Sequence, residues 1–237
     1  MAAAILAVAT GPQALAAETG PPHGTPVVHA DGSVVLANRT NPPIRCGFGL
    51  PSQAPQRRWQ EEGAVPICHT MWEENGIRYT QIVLMTRLGA GNLPPAGQPA
   101  DDAVLMVQLV GENFTNIYTE ASAGLTVEIR GRQMDLELRD GLAYVTETNG
   151  ARLLAAIDVS TSGIACTNGP QLRFQGSMPP GTSGAMTFKF PTAPLPGKED
   201  LELLRDLEFG EQFQRVRRFW AERKGEAPPV IFSPQLK

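Results

Sequence analysis

Residues 65–87, VPICHTMWEENGIRYTQIVLMTR, constrain the fold more than any other stretch. They hold Asn75-Gly76, a pair suited to a two-residue hairpin turn because both central positions of that turn need positive φ. A turn there sets the register by arithmetic. Glu74 faces Ile77, Glu73 faces Arg78, Trp72 faces Tyr79, Met71 faces Thr80, His69 faces Ile82 and Cys68 faces Val83. Side chains alternate between faces along a strand. One face then carries the charge pair Glu73–Arg78 and the other the aromatic pair Trp72–Tyr79, and both kinds of pair stabilise a sheet. Two independent pairs thus agree on one register.

The same alternation decides what Cys68-His69 can do. A Cys–His nucleophile pair needs its side chains within hydrogen-bonding reach. Neighbours on a strand point to opposite faces, so the expectation is a buried cysteine and a separate strand histidine. Glu61-Glu62 and Glu73-Glu74 raise the question of an acid/base pair. Glycosidase carboxyls flank one bond, roughly 5–10 Å apart, whereas adjacent strand carboxylates splay, so both pairs read as solvated turn residues.

The rest of the chain continues the β pattern. With 24 Gly and 21 Pro in 237 residues, it is punctuated for many short strands. In VVHADGSVVLA, Asp31-Gly32 predicts a two-residue turn. AVLMVQLVGENF is apolar on both faces at its start, as a central strand is. SAGLTVEIRGRQMDLELRDGLAYVTE alternates, with Leu125, Val127 and Ile129 on one face and turns at Gly131 and Asp140-Gly141. ARLLAAIDVS, GPQLRFQGS and AMTFKFP add further strands.

The character changes after Pro196. Leu201, Leu204 and Leu207, then Phe209, Phe213, Val216 and Trp220, recur at helical spacing. Gly210 is expected to divide two helices, and Gly225 with the following prolines to stop the second. Their apolar face needs cover, from the sandwich or from something beyond Lys237. The expected fold class is therefore all-β: a two-sheet antiparallel β-sandwich with a short C-terminal helical linker. The expected divisions are 1–25, a signal-like or flexible segment; 26–196, the sandwich; 197–226, the helical linker; and 227–237, a tail.

Composition narrows the partners. A net charge of −4 and a pI near 5.5, with no basic stripe, argue against nucleic acid. No stretch is long and apolar enough to span a membrane. The opening MAAAILAVATGPQALAAETGPP has a small apolar run and an Ala14-Leu15-Ala16 cleavage pattern but lacks a basic start. The expected location is secreted or periplasmic. For Cys46, Cys68 and Cys166 the spacing does not choose between one disulfide and three free thiols. His23, His29 and His69 are not spaced as ligands, so no metal is expected, and no cofactor motif occurs. Asn38-Arg39-Thr40 and Asn113-Phe114-Thr115 match glycosylation sequons. Trp59, Trp72 and Tyr79 are the candidate carbohydrate-stacking residues, with core packing as the competing role. Phe213, Phe219 and Trp220 are the candidates for docking between domains.

Four blocks, in order, carry a resemblance: RRWQEEGAVPICHTMWEENGIRYTQIVLMTR, DDAVLMVQLVGENFTNIYTEASAGLTVEI, MPPGTSGAMTFKFPTAPL and LEFGEQFQRVRRFW. From about residue 40 onward the layout resembles the N-terminal β-supersandwich and linker helix of secreted bacterial six-hairpin, (α/α)6-barrel glycoside hydrolase-like proteins. The resemblance implies an accessory role in carbohydrate metabolism. Its implied partners are a downstream (α/α)6 catalytic domain and a poly- or oligosaccharide. In that family the acid and base lie in the barrel, so no catalytic residue carries over to any position here. Two further expectations stand beside it: a stand-alone carbohydrate-binding sandwich, and a structural surface or assembly subunit.

Overall fold

A computed structural model describes residues 27–29, 31–36, 43–51, 54–62, 65–89, 93, 102–147, 150–160, 164–195, 197–223 and 231–232, the last pair as backbone. The signal-like segment, the Asn38 sequon and Gly225 lie outside them.

The hairpin at Asn75-Gly76 forms as its pairs require. Strands β5 (Val65–Glu74) and β6 (Ile77–Arg87) are antiparallel, with Trp72 opposite Tyr79, Glu73 opposite Arg78 and Cys68 opposite Val83. Asn75 and Gly76 have φ of 51° and 80°, the left-handed geometry of that turn. Arg130-Gly131 and Asp140-Gly141 turn in the same way, each with both residues at positive φ.

The eight-stranded sheet B grows from this hairpin. Its order is β10 (Leu136–Arg139), β11 (Leu142–Glu147), β12 (Gly150–Val159), β15 (Ser183–Pro191), β7 (Ala103–Asn113), β6, β5 and β4 (Arg57–Glu61). Sheet A follows a seven-strand path: β13 (Ala165–Thr167), β14 (Leu172–Met178), β8 (Thr119–Ile129), β3 (Ile44–Gly47), β2 (Val34–Leu36), β1 (Val27–Val28) and β16 (Ile231–Phe232). The two-residue β9 (Arg132–Gln133) pairs beside it on β8. Pairing is antiparallel throughout except between β1 and β16. Residues 231–232, expected in an outgoing tail, thus return to sheet A.

Two sequence expectations need correction here. Val28 pairs with Val34, whereas a two-residue turn at Asp31-Gly32 would pair Val28 with Val35. The loop is one residue longer, closed by His29 and Ser33 backbone bonding, with Gly32 at φ +77° in the left-handed place. Asp31 fixes it by accepting from the Ser33 N–H at 2.9 Å and the Ser33 hydroxyl at 2.7 Å. Nor does Gly210 divide the helices. Helix α1 (Lys198–Asp206) ends where Leu207 turns extended with its side chain buried, and α2 (Phe209–Glu222) has Gly210 inside its first turn.

The alternation of each central strand feeds two cores. Cys68, Val83, Leu105, Val107, Phe188 and Phe190 point between the sheets, against residues such as Val34, Cys46, Leu125 and Phe174 of sheet A. Their neighbours Ile67, Leu84, Val104 and Met106 point to the opposite face, under Leu204, Phe209, Val216 and Trp220 of the helices. The molecule is therefore a two-sheet sandwich with a helical layer on sheet B. Strand β7, apolar on both sides, is buried on both sides. Polar anchors set the helices in place. The Thr86 hydroxyl donates to Gln212 Oε1 at 2.7 Å, both residues buried. The buried Lys189 donates to the Arg205 carbonyl in the last turn of α1, where a cation complements the helix dipole. Lys189 also pairs with Asp158 at 2.7 Å.

Candidate functional site

The Cys68–His69 neighbours separate as alternation demands. Cys68 is wholly buried between the sheets, and burial, only partly offset by Arg58, pushes its thiol up to about 12. It holds no thiolate for nucleophilic work near neutral pH. His69 faces the helical layer. Its ring stacks on Trp59 of edge strand β4, with centroids 4.8 Å apart and planes 8° apart. Its Nε2 lies 2.8 Å from Glu61 Oε2. Phe213 of α2 meets it edge-on at 6.4 Å, and Arg217 Nε lies 3.4 Å from the other Glu61 oxygen. Burial lowers the His69 pKa, and the Glu61 hydrogen bond and charge only partly oppose it. The arrangement ties β4, β5 and α2 together through the His69 imidazole.

Of the three candidate stacking residues, only Trp59 keeps partial exposure, and its ring also lies 4.7 Å from the Arg57 guanidinium. Trp72 is 0 % exposed and Tyr79 8 %. Both sit on the hairpin face opposite Glu73–Arg78, and that face is the sandwich interior, where they pack with Ile77 and Met178. Neither offers a free ring face to a sugar. A Cβ on Gly32 would lie only 2.8 Å from Trp72 Cη2, which shows how closely the first hairpin loop covers that indole. The candidate docking residues are also engaged within the chain. Trp220 is buried against sheet B, Phe213 packs on His69 and Phe209, and half-buried Phe219 lies between Trp220 and the Arg223 guanidinium.

The carboxylates are held as well. Glu61 is shared by His69 and Arg217. Glu73 lies 2.8 Å from Arg78, whose guanidinium also reaches Glu112 at 3.2 Å. Glu62 and Glu74 are exposed. Cys46, Cys68 and Cys166 are free thiols, the first two buried and the third exposed on β13. Among the described residues no group of three or more His, Cys, Asp and Glu comes together as a metal site, and no helix is long and apolar enough to cross a membrane.

The most distinctive surface lies at the end of the sandwich that carries the Asn75-Gly76 turn. Strand β7 ends at Asn113, and the loop to β8 presents Phe114, Ile117 and Tyr118 at 50 %, 65 % and 70 % exposure. This loop is built on a fully buried asparagine. Asn113 Nδ2 donates to the carbonyls of Ile117 at 2.8 Å, Met178 at 2.9 Å and Pro179 at 3.2 Å. Its Oδ1 accepts from the Thr115 N–H at 3.0 Å and the Thr115 hydroxyl at 2.7 Å. Backbone bonds join Phe114 to Gly76 and Asn113 to Gly181 and Thr182. One side chain thus ties the β7–β8 loop to the β14–β15 loop, and a glycan on its nitrogen would displace three carbonyls, so the sequon at Asn113 is not an acceptor in the folded protein. The sequence reading ran the strand through Phe114. The available signal was the pair of asparagines in NFTNIYT, since an Asn side chain can bond the backbone two residues on and so favours a turn over a strand, as Asn113 does with the Thr115 N–H. No protein-family model matches the chain, and no curated protein matches it.

Proposed function

We propose that the chain is a non-catalytic accessory β-sandwich of a secreted glycoside hydrolase, acting in carbohydrate metabolism beside a separate (α/α)6 catalytic domain. The observation that carries this reading is architectural. Two large antiparallel sheets are followed by two helices, the second carrying Phe219-Trp220 in its last turn, in the order that the resemblance implies. The carboxylates fit it too. A glycosidase acid and base must exchange protons across a cleft, whereas Glu61 and Glu73 are engaged by arginines of this chain, Arg217 and Arg78. Fold analogy supplies no substrate, so the sugar stays unspecified.

A stand-alone carbohydrate-binding or structural surface sandwich is the second reading. It is favoured by the cover over α2: Phe209, Val216 and Trp220 pack on the chain's own sheet, so the helix does not demand an outside partner. Reading the coding DNA past the Lys237 codon separates the two. The accessory reading expects an open frame entering a long helical region with inward-facing carboxylates, and a stop codon there would favour the second. The chain itself, incubated with a polysaccharide panel, is expected to release no reducing sugar. Clear hydrolysis would overturn the non-catalytic assignment.

A further inference from the structure

We infer that the β7–β8 loop, with Phe114 and Tyr118 as its platform, is a carbohydrate-binding surface. Loops on a rigid scaffold are where binding residues concentrate, and this loop is pinned by five side-chain hydrogen bonds of one buried asparagine. A platform ordered before binding loses little entropy on contact. Three of the five large apolar side chains most exposed among the described residues stand within this one loop.

The chemistry around the rings selects the occupant. Exposed Asn116 lies between Phe114 and Ile117, Glu112 precedes Asn113, Glu120 follows Thr119, and Glu74 flanks the adjoining turn, all exposed. The Arg78 guanidinium lies 5.6 Å from the Phe114 ring centroid and bridges Glu73 and Glu112. A sugar has an apolar C–H face and a rim of hydroxyls that donate and accept. The first suits an aromatic ring, and the second suits carboxylate, amide and guanidinium groups in alternation with it. An anionic bilayer would be repelled by this acidic rim. The core of a protein interface is depleted of such charges.

The inference rests on the carbohydrate reading above for its occupant, but the two fail separately. The reading frame past Lys237 tests the accessory role and says nothing of this loop. The loop is tested by affinity electrophoresis of the full chain through soluble β-glucan, xyloglucan, arabinoxylan, galactomannan and starch. At least one should retard the protein. Tyr118→Ala and Phe114→Ala should each weaken that retardation about three- to tenfold, as loss of one stacked ring implies. Tyr118→Phe, which keeps the ring, should retain most of it. Thermal unfolding of the variants should match the parent, since both side chains are exposed. No retardation by any polysaccharide, retardation unaffected by either alanine, or loop-dependent binding to phosphatidylglycerol vesicles or to a second copy of the chain instead would each overturn the inference.

Discussion

Asn113 shows how much one residue can decide. Its letters in the sequence, Asn-Phe-Thr, match a surface sequon, yet the side chain is wholly buried and joins two loops. Replacing it by alanine leaves buried carbonyls and the Thr115 N–H without their partner. Each lost bond of this kind is worth about 1 kcal/mol, and more where a group is left dry. Asn113→Ala should therefore cost about 2–4 kcal/mol, read as a lower urea midpoint. A stability equal to that of the parent would show that the loops hold themselves. His69 makes a different prediction. Burial lowers its pKa below the ordinary 6.5 against the pull of Glu61, so the unfolded chain takes up the proton first. Stability then rises with pH across that interval, and falls as the pH drops below 6.5 towards the depressed native value. Arg217, on α2, and Glu61, on β4, are the charged groups of this cluster. His69→Gln, which cannot titrate, should lose less stability than the parent between pH 7.5 and 5.5. Parallel losses in urea titrations at the two pH values would assign the dependence elsewhere.

At the scale of elements, the hairpin at residues 65–87 was legible and the first hairpin was not, for a physical reason. The β5–β6 register is over-determined, because Glu73–Arg78, Trp72–Tyr79 and the Asn-Gly turn all require it. Asp31-Gly32 fits the end of a three-residue loop as well as a two-residue turn, and its flanking valines look alike in either register. Opposite faces for Cys68 and His69 followed from alternation alone. Which face was interior did not, and so Trp72 and Tyr79 read as candidate sugar-stacking residues when they are core. The turn itself carries a test. Gly76 has φ +80°, and an added Cβ would run into Thr115 Cγ2. Gly76→Ala should cost about 1–3 kcal/mol, part from the left-handed backbone and part from this collision. Thr115→Ser keeps the hydroxyl bonded to Asn113 and removes the methyl, so in the Gly76→Ala background it should recover the second part. A double-mutant cycle with no coupling would place the whole cost in the backbone.

For the whole molecule, the strand order was the least legible feature. Joining β8 to both β14 and β3, or β12 to β15, brings together residues far apart in sequence, and no local pattern records such pairings. The helical layer was half legible. The periodicity of Leu204, Phe209, Val216 and Trp220 announced an apolar face, but its partner stayed open between the sandwich and a separate domain. The structure assigns that face to sheet B, where Ile67, Leu84, Val104 and Met106 are at most 2 % exposed beneath it. This makes the helices part of the folded unit, with a measurable consequence. A chain ended after residue 196 would bare those four side chains and their neighbours, and would leave Lys189 without the Arg205 carbonyl. Fully burying one such side chain is worth about 1.5–3 kcal/mol, so the sum rivals the 5–15 kcal/mol by which a typical domain is stable. The shortened chain should bind a hydrophobic dye, self-associate in sedimentation and unfold at markedly lower urea. If it stayed monomeric with unchanged unfolding, the helices would be a detachable spacer, and Phe213, Phe219 and Trp220 would be released to serve a neighbouring domain.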